Sequence, residues 1–191
     1  IFSNMVDSYQ YLLKAIQLLM TKNIVHFDLK NDNVLFNVAT QEPHILDFGL
    51  SLNMAALNDK NIQSYFYIYA PEYYIWPIEV HIICYLVNKR LDSTSIINKH
   101  ELETIANLVV ENNKGLNIYS PEFKERFLEK TIQYVSQFAG KTKASIIKTL
   151  LTQENYQTWD NYALSILFLR CFEYIFYNGF THSKLLIKLS Q

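Results

Sequence analysis

Four side chains in a short window of the sequence could act together in chemistry: Asp28, Lys30, Asn33 and Asp47. A carboxylate can accept a proton from a hydroxyl group, and an ammonium group can neutralise a phosphate. Carboxylate and amide oxygens suit Mg²⁺, which proteins usually hold together with substrate phosphates. These residue types therefore indicate a site at which Asp28 takes up a proton, Lys30 faces a phosphate and the other two hold a divalent cation.

A β-hairpin is the element that would bring these residues together. Residues 33–36 and 44–46 have the composition of strands, and the polar residues 37–43 between them predict a turn. Pairing of the two strands would carry Asn33 and Asp47 back toward each other. Asp28 and Lys30 would then lie on the loop that precedes the first strand.

At these residues the chain resembles the protein kinases. The sequence HFDLKNDN at 26–33 is similar to their catalytic loop, and DFG at 47–49 is similar to their metal-binding segment. APE at 70–72 matches the motif that closes the kinase activation segment, here 47–72. Any one of these motifs alone would be weak, whereas three in order at plausible separations make the resemblance specific.

The resemblance implies a role for each residue of the site. Asp28 and Lys30 would be catalytic, and Asn33 and Asp47 would hold Mg²⁺ and the nucleotide ATP. Leu35 would belong to the strand that forms the floor under adenine. Structural support would come from His26 packed beneath Phe48, and from Gly49, Glu72 and Asp160, the last of which would hold the backbone of the catalytic loop.

Plainer interpretations of the same residues remain open. His26 could simply be a core histidine bonded to the backbone, and Asp28 could be a turn-forming residue. Asp160 could be no more than a helix cap.

Two departures from the kinase pattern stand in the sequence. Phe27 occupies the place of an arginine that pairs with a phosphorylated activation segment, and a phenyl ring cannot form that hydrogen bond. Activation by phosphorylation in that manner is therefore not expected. Tyr65 occupies the place of a threonine that contacts the catalytic Asp and Lys, so the seating of the protein substrate is expected to differ.

The predicted fold class is mainly α with a small β-hairpin, as in the C-terminal lobe of a protein kinase. A helix over 5–21, capped by Asp7 or Ser8, leads to the catalytic loop. The central helix is expected at 160–177, so that 73–159 is an unusually large insertion. Within the insertion we predict helices at 100–110, from Pro121 to Gly140 and at 144–151, and beyond the central helix another at 184–189.

The resemblance covers only the C-terminal lobe, so an N-terminal lobe is expected to be absent from residues 1–191. We find no glycine-rich loop and no strand lysine for the nucleotide phosphates. The chain has only three arginines, so the usual arginine partner of Glu72 is not assigned. Because phosphoryl transfer needs charge neutralisation from both lobes, we expect these residues alone to be inactive.

Composition narrows the class of protein. Half of the residues are hydrophobic and 18% are charged, which is typical of a globular domain. A net charge of −1 gives no reason to expect nucleic acid or a membrane as partner. Two cysteines provide no disulfide framework and favour a reducing, cytoplasmic location.

Three functions fit these observations. The first is an ATP-dependent serine/threonine kinase acting on protein hydroxyls, since Lys30 resembles the serine/threonine-specific pattern. The second is a catalytically inactive kinase-like scaffold or binding module, whose helical insertion would dock a partner. The third is a small-molecule kinase of related fold, against which the APE motif at 70–72 argues.

Overall fold

A computed structural model describes residues 2–179, with side chains described for residues 4–174. The chain is mainly helical and contains two small antiparallel sheets, so the predicted fold class, mainly α with a small β-hairpin, is confirmed. The helices are α1 (Phe2–Thr21), α2 (Ile62–Tyr65), α3 (Ile78–Asn88), α4 (Lys99–Glu111), α5 (Pro121–Ser136), α6 (Lys143–Leu150), α7 (Gln153–Tyr156) and α8 (Trp159–Gly179). The strands are β1 (Ile24–Val25), β2 (Val34–Asn37), β3 (Glu42–Ile45) and β4 (Leu52–Asn53).

The first helix starts earlier than the sequence indicated. It already includes Phe2, so Asp7 and Ser8 lie inside it and the predicted caps are wrong. Its end at Thr21 is as predicted. Asn23 adopts a left-handed backbone conformation with φ of 55° and stops the helix. Helix α1 packs against α8, and Leu12 and Ile16 are buried between the elements of the core.

The hairpin forms, with a shift in its boundaries. β2 pairs with β3 in antiparallel register, with Val34 opposite Ile45. Asn33 belongs to a short 3-10 helix, Asn31–Asn33, rather than to the strand. Pro43 lies in β3 rather than in the turn. Proline has no backbone N–H to donate to a neighbouring strand, and an edge strand of a two-stranded sheet tolerates this.

The second sheet was not predicted. β1 pairs with β4 so that Val25 lies opposite Leu52, and the N–H of Met54 donates to the carbonyl of Asn23 at 2.8 Å. The start of the segment that follows DFG is thereby fixed to the strand that precedes the catalytic loop.

The region 73–159 is helical, and its caps explain where the helices begin. Asn98, Ser120 and Thr142 each accept a hydrogen bond from the backbone N–H three residues later, at the starts of α4, α5 and α6. The prediction that Gly140 ends α5 is four residues late, since the helix ends at Ser136 and Gly140 lies in the following turn with φ of 77°. The helix predicted at 184–189 lies outside the described residues.

Within residues 2–179, none of the helices has both the length and the apolar character that a membrane crossing requires. Both cysteines are free thiols, and burial raises the pKa of Cys84 to about 12.

His81 on α3 is a buried titratable group with an unusual environment. It is fully buried, neither ring nitrogen has a hydrogen-bond partner among the described residues, and the ring meets that of Trp76 edge-on at 6.0 Å. Burial disfavours the charged imidazolium and lowers the pKa of His81 to about 4.

This burial predicts a stability that depends on pH. Between the unfolded pKa of about 6.5 and the folded value, the unfolded chain binds a proton that the folded chain does not. The free energy of unfolding is therefore expected to fall by about 3 kcal/mol as the pH drops from 7 to 4. Urea denaturation at several pH values measures this. His81→Leu should remove that part of the pH dependence, whereas His44→Gln, at an exposed position, should keep it. Equal slopes in all three proteins would contradict the assignment.

Candidate active site

One buried carboxylate holds the start of the loop 26–33. Asp160, near the N-terminus of α8, is 1% exposed. Its oxygens accept the backbone N–H of His26 at 2.6 Å and of Phe27 at 3.0 Å. Burial raises the pKa of Asp160, and these two hydrogen bonds oppose that rise by favouring the carboxylate. The kinase resemblance implied a contact of this kind for Asp160, and the role of Asp160 in a kinase stays a prediction.

Asp160→Asn is expected to destabilise the fold by roughly 3 kcal/mol, because the amide can accept only one of the two N–H groups and leaves the other buried and unpaired. Urea denaturation of the variant and of Asp59→Asn, at an exposed site, measures the difference. A loss no larger than that of Asp59→Asn would show that Asp160 does not hold the loop.

Phe27 anchors the same loop through apolar contacts. It adopts a left-handed backbone conformation with φ of 69°, which is uncommon for a bulky residue. The side chain is 5% exposed, and its ring lies 4.8 Å from Trp76, 5.8 Å from Phe66 and 6.2 Å from Trp159. The indole N–H of Trp76 donates to the Phe27 carbonyl at 2.8 Å. Packing against three aromatic rings therefore holds Phe27 in place.

His26 is a buried histidine bonded to the backbone. Its Nδ1 accepts the N–H of Asp28 at 3.3 Å, which leaves the proton on Nε2 to be donated to the Leu46 carbonyl at 2.9 Å. The imidazole meets the ring of Phe48 edge-on at 4.9 Å. His26 thus connects the loop 26–33 to Leu46 and Phe48.

Asp28, the candidate base, is 4% exposed and forms hydrogen bonds through both oxygens. Its Oδ2 accepts Lys30 Nζ at 3.0 Å and Asn33 Nδ2 at 2.9 Å, while Oδ1 accepts the hydroxyl of Tyr73. Asn33 Nδ2 also donates to the Asp28 carbonyl at 2.8 Å. The structure therefore brings Asp28, Lys30 and Asn33 into one hydrogen-bonded cluster.

Asp47 follows the hairpin directly. The N–H of Leu46 donates to the carbonyl of Asn33 at 2.8 Å, so Asp47 comes one residue after the point at which the two segments meet. Asp47 is exposed and has a left-handed backbone with φ of 59°. Its Oδ1 accepts the N–H of Gly49 at 3.1 Å, and a Cβ at Gly49 would approach that oxygen to 3.0 Å. A glycine therefore suits the turn.

The donor set fits a Mg²⁺ ion bound with phosphates. Both amide hydrogens of Asn33 are directed at Asp28, which leaves the Asn33 Oδ1 as the atom for a cation. The carboxylate of Asp47 is exposed on the adjoining segment. Among the described residues, no three His, Cys, Asp or Glu side chains form a cluster for a metal. One amide and one carboxylate are few ligands, which matches the preference of Mg²⁺ for keeping waters and substrate phosphates.

Leu35 points away from the core at the centre of β2. Its side chain is 57% exposed, and it lies opposite His44 on β3. Several large apolar side chains near the hairpin share this exposure: Leu35, Phe36, Val38, Leu46, Phe48 and Leu50. Exposed apolar side chains beside a polar cluster are typical of a ligand site or an interface.

Glu72, the last residue of the APE motif, is exposed. We find no salt bridge to it among the residues that the structure describes. Of the three arginines, Arg170 pairs with Glu173 at 2.5 Å and lies 5.9 Å from the ring of Tyr74. The partner of Glu72 therefore stays unassigned.

Tyr73 is a site residue that sequence reasoning missed. The kinase pattern places a threonine at position 65 against the catalytic Asp, whereas here Tyr65 lies in α2 and the contact to Asp28 comes from Tyr73. The only sequence signal was the position of Tyr73 directly after APE. Trp76 contacts both Tyr73 and Phe27. It was also missed, because its position shortly after APE was again the only signal.

Comparison with known proteins gives one match. Residues 3–79, about two fifths of the chain, match the family model of the protein kinase domain. The comparisons with curated proteins and with solved structures found no match. The matched stretch includes HFDLKNDN at 26–33, DFG at 47–49 and APE at 70–72, and it supports a relationship between this chain and the protein kinase family.

Proposed function

We propose that these residues form the C-terminal lobe of an ATP-dependent serine/threonine protein kinase, which transfers the γ-phosphoryl group to a protein hydroxyl. The observation that carries this proposal is the cluster at Asp28. A buried carboxylate is bonded there to Lys30 and Asn33, in a loop that Asp160 and Phe27 hold rigidly. Rigid placement of a base and a cation is the main requirement of phosphoryl transfer.

Each residue of the cluster has a role in this proposal. Asp28 accepts the proton of the attacking hydroxyl, and Lys30, 37% exposed at its side chain, offsets the charge of the transferred group. Asn33 and Asp47 hold Mg²⁺, which supplies neutralisation of the phosphate charges. Leu35 and the exposed apolar side chains around it contact the adenine ring.

A second lobe completes the nucleotide site in this proposal. Residues 1–191 contain no glycine-rich loop, and in this proposal the second lobe supplies the cover of the phosphates. The exposed apolar side chain of Leu35 lies where that lobe would pack. We therefore expect residues 1–191 alone to give negligible transfer, and the full-length protein to be required.

The proposal also includes the acceptor type, the helical region and the location. Lys30, two residues after Asp28, supports serine and threonine rather than tyrosine as acceptors. The helical region 73–159, inserted between APE and α8, would cover the lower lobe and offer a docking surface for a substrate protein or partner. A cytoplasmic, reducing location is proposed from the two free thiols.

A catalytically inactive scaffold is the second candidate. Both oxygens of Asp28 already accept hydrogen bonds from side chains of the chain itself. Phe27 also replaces the arginine through which many kinases are activated. A scaffold would retain the same fold and would use the helical insertion for binding.

A measurement of phosphate transfer from ATP by the full-length protein distinguishes the active kinase from the inactive scaffold. The acceptor is a peptide library with serine or threonine at its centre, and a parallel library with tyrosine tests the acceptor type. An active kinase phosphorylates the first library, and Asp47→Ala abolishes the transfer. Asp59→Ala, also exposed and farther along the activation segment, should leave it intact. Absence of transfer by the wild-type protein, with nucleotide binding retained, would favour the scaffold.

A further inference from the structure

The hydroxyl of Tyr73 is hydrogen-bonded to Asp28, the candidate base. Its hydroxyl donates to Asp28 Oδ1, while Lys30 and Asn33 occupy Oδ2. Asp28 is 4% exposed, whereas Tyr73 is only partly buried. An acceptor hydroxyl approaching from solvent therefore meets a carboxylate whose oxygens are both engaged.

The position of Tyr73 is built into the fold. Its backbone N–H donates to the Ala70 carbonyl at 2.9 Å, which fixes the turn after APE. Its ring meets that of Trp76 edge-on at 4.7 Å, and Trp76 is itself bonded to the Phe27 carbonyl. Lys30 Nζ lies 6.0 Å from the centre of the Tyr73 ring. The phenol is therefore held against both charged members of the cluster.

We propose that Tyr73 is a specificity-determining gate, whose hydroxyl occupies the Asp28 oxygen that the acceptor hydroxyl needs and must leave before an acceptor can bind. This inference rests on the proposed kinase function. Only acceptors whose flanking residues displace the phenol from Asp28 would reach the base. The cost of opening is incurred when the acceptor binds, so it raises KM for the acceptor and leaves kcat nearly unchanged.

Tyr73→Phe keeps the ring on Trp76 and removes the hydroxyl. With the best serine or threonine peptide from the library, the full-length variant is expected to show a KM for the peptide at least about tenfold lower than wild type, since a hydrogen bond to a charged group is lost from the closed state. The kcat should stay within about twofold. Tyr74→Phe, the same change at the next residue, should leave both constants unchanged. An unchanged or higher KM in Tyr73→Phe would overturn the proposal, because a tyrosine that merely supports the site would give that result.

A second measurement needs no activity. Tyrosine labelled with ¹³C at Cζ gives one resonance per phenol, and the resonance lost in Tyr73→Phe identifies Tyr73. Burial and the hydrogen bond to Asp28 raise the pKa of Tyr73. Asp28→Asn should therefore move the titration of this resonance to lower pH, and a titration that does not move would overturn the contact. If this contact is present but no protein transfers phosphate, the proposed function fails and the contact between Tyr73 and Asp28 stands.

Discussion

Asp28→Asn is expected to lower the rate of phosphate transfer by the full-length protein about 10³-fold, within a range of 10²–10⁴ for a positioned acid or base. The amide has nearly the size and shape of the carboxylate but cannot take up the proton of the acceptor hydroxyl. It can still accept hydrogen bonds from Lys30 and Asn33, so the fold should be retained. Steady-state kinetics with a saturating peptide and ATP measures the effect on kcat.

Asp32→Asn is the matched control for this prediction. Asp32 lies in the same loop and is exposed, so its substitution should change kcat by less than about twofold. A kcat that Asp28→Asn leaves within tenfold of wild type would contradict the role of Asp28 as base. Phosphate transfer would then proceed by a route that does not need Asp28.

Phe27→Ala is expected to destabilise the protein by about 4 kcal/mol, as for other buried phenylalanines cut back to alanine. The substitution leaves a cavity between Phe66, Trp76 and Trp159, which belong to separate parts of the chain. It also removes the contact between the catalytic loop and the activation segment at Phe66. Urea denaturation followed by tryptophan fluorescence gives the free energy of unfolding.

Tyr67→Ala is the comparison for Phe27→Ala. Tyr67 directly follows Phe66 in the chain but is 55% exposed. Removing its side chain should therefore lower the free energy of unfolding by less than about 1 kcal/mol. Equal destabilisation by the two substitutions would show that the ring cluster around Phe27 does not hold the loop. A larger destabilisation by Phe27→Ala would support the view that packing of Phe27, and not a phosphate–arginine pair, holds the loop in place.

Helices were predictable where local signals decide them. Ser120 followed by Pro121 marks a helix start through capping and a preset φ angle, and the structure has α5 begin at Pro121. Boundaries failed where long-range contacts decide. Asn33 looked like the start of a strand, yet its amide bonds to Asp28 and its backbone forms a helical turn instead. β1 has the apolar composition of a short buried strand, but nothing local in the sequence indicates that it pairs with β4.

In the candidate site, too, local sequence predicts some residues and long-range contacts bring in others. Asp28, Lys30 and Asn33 lie within six consecutive residues, and their clustering follows from a short loop before a hairpin. Tyr73 is 45 residues away from Asp28 in the chain, and no periodicity or spacing connects the two. Their contact depends on how the turn after APE packs on Trp76, which only the folded chain defines.

Asn33 and Asp47 are proposed to hold a divalent cation beside Asp28. Anomalous diffraction from crystals of the full-length protein with Mn²⁺ and a non-hydrolysable ATP analogue tests it most directly, because Mn²⁺ takes the same oxygen ligands as Mg²⁺. We predict an anomalous peak within roughly 2.3 Å of both the Asn33 amide oxygen and the Asp47 carboxylate. A peak at other residues, with the side chains of Asn33 and Asp47 on different faces of the molecule, would contradict it.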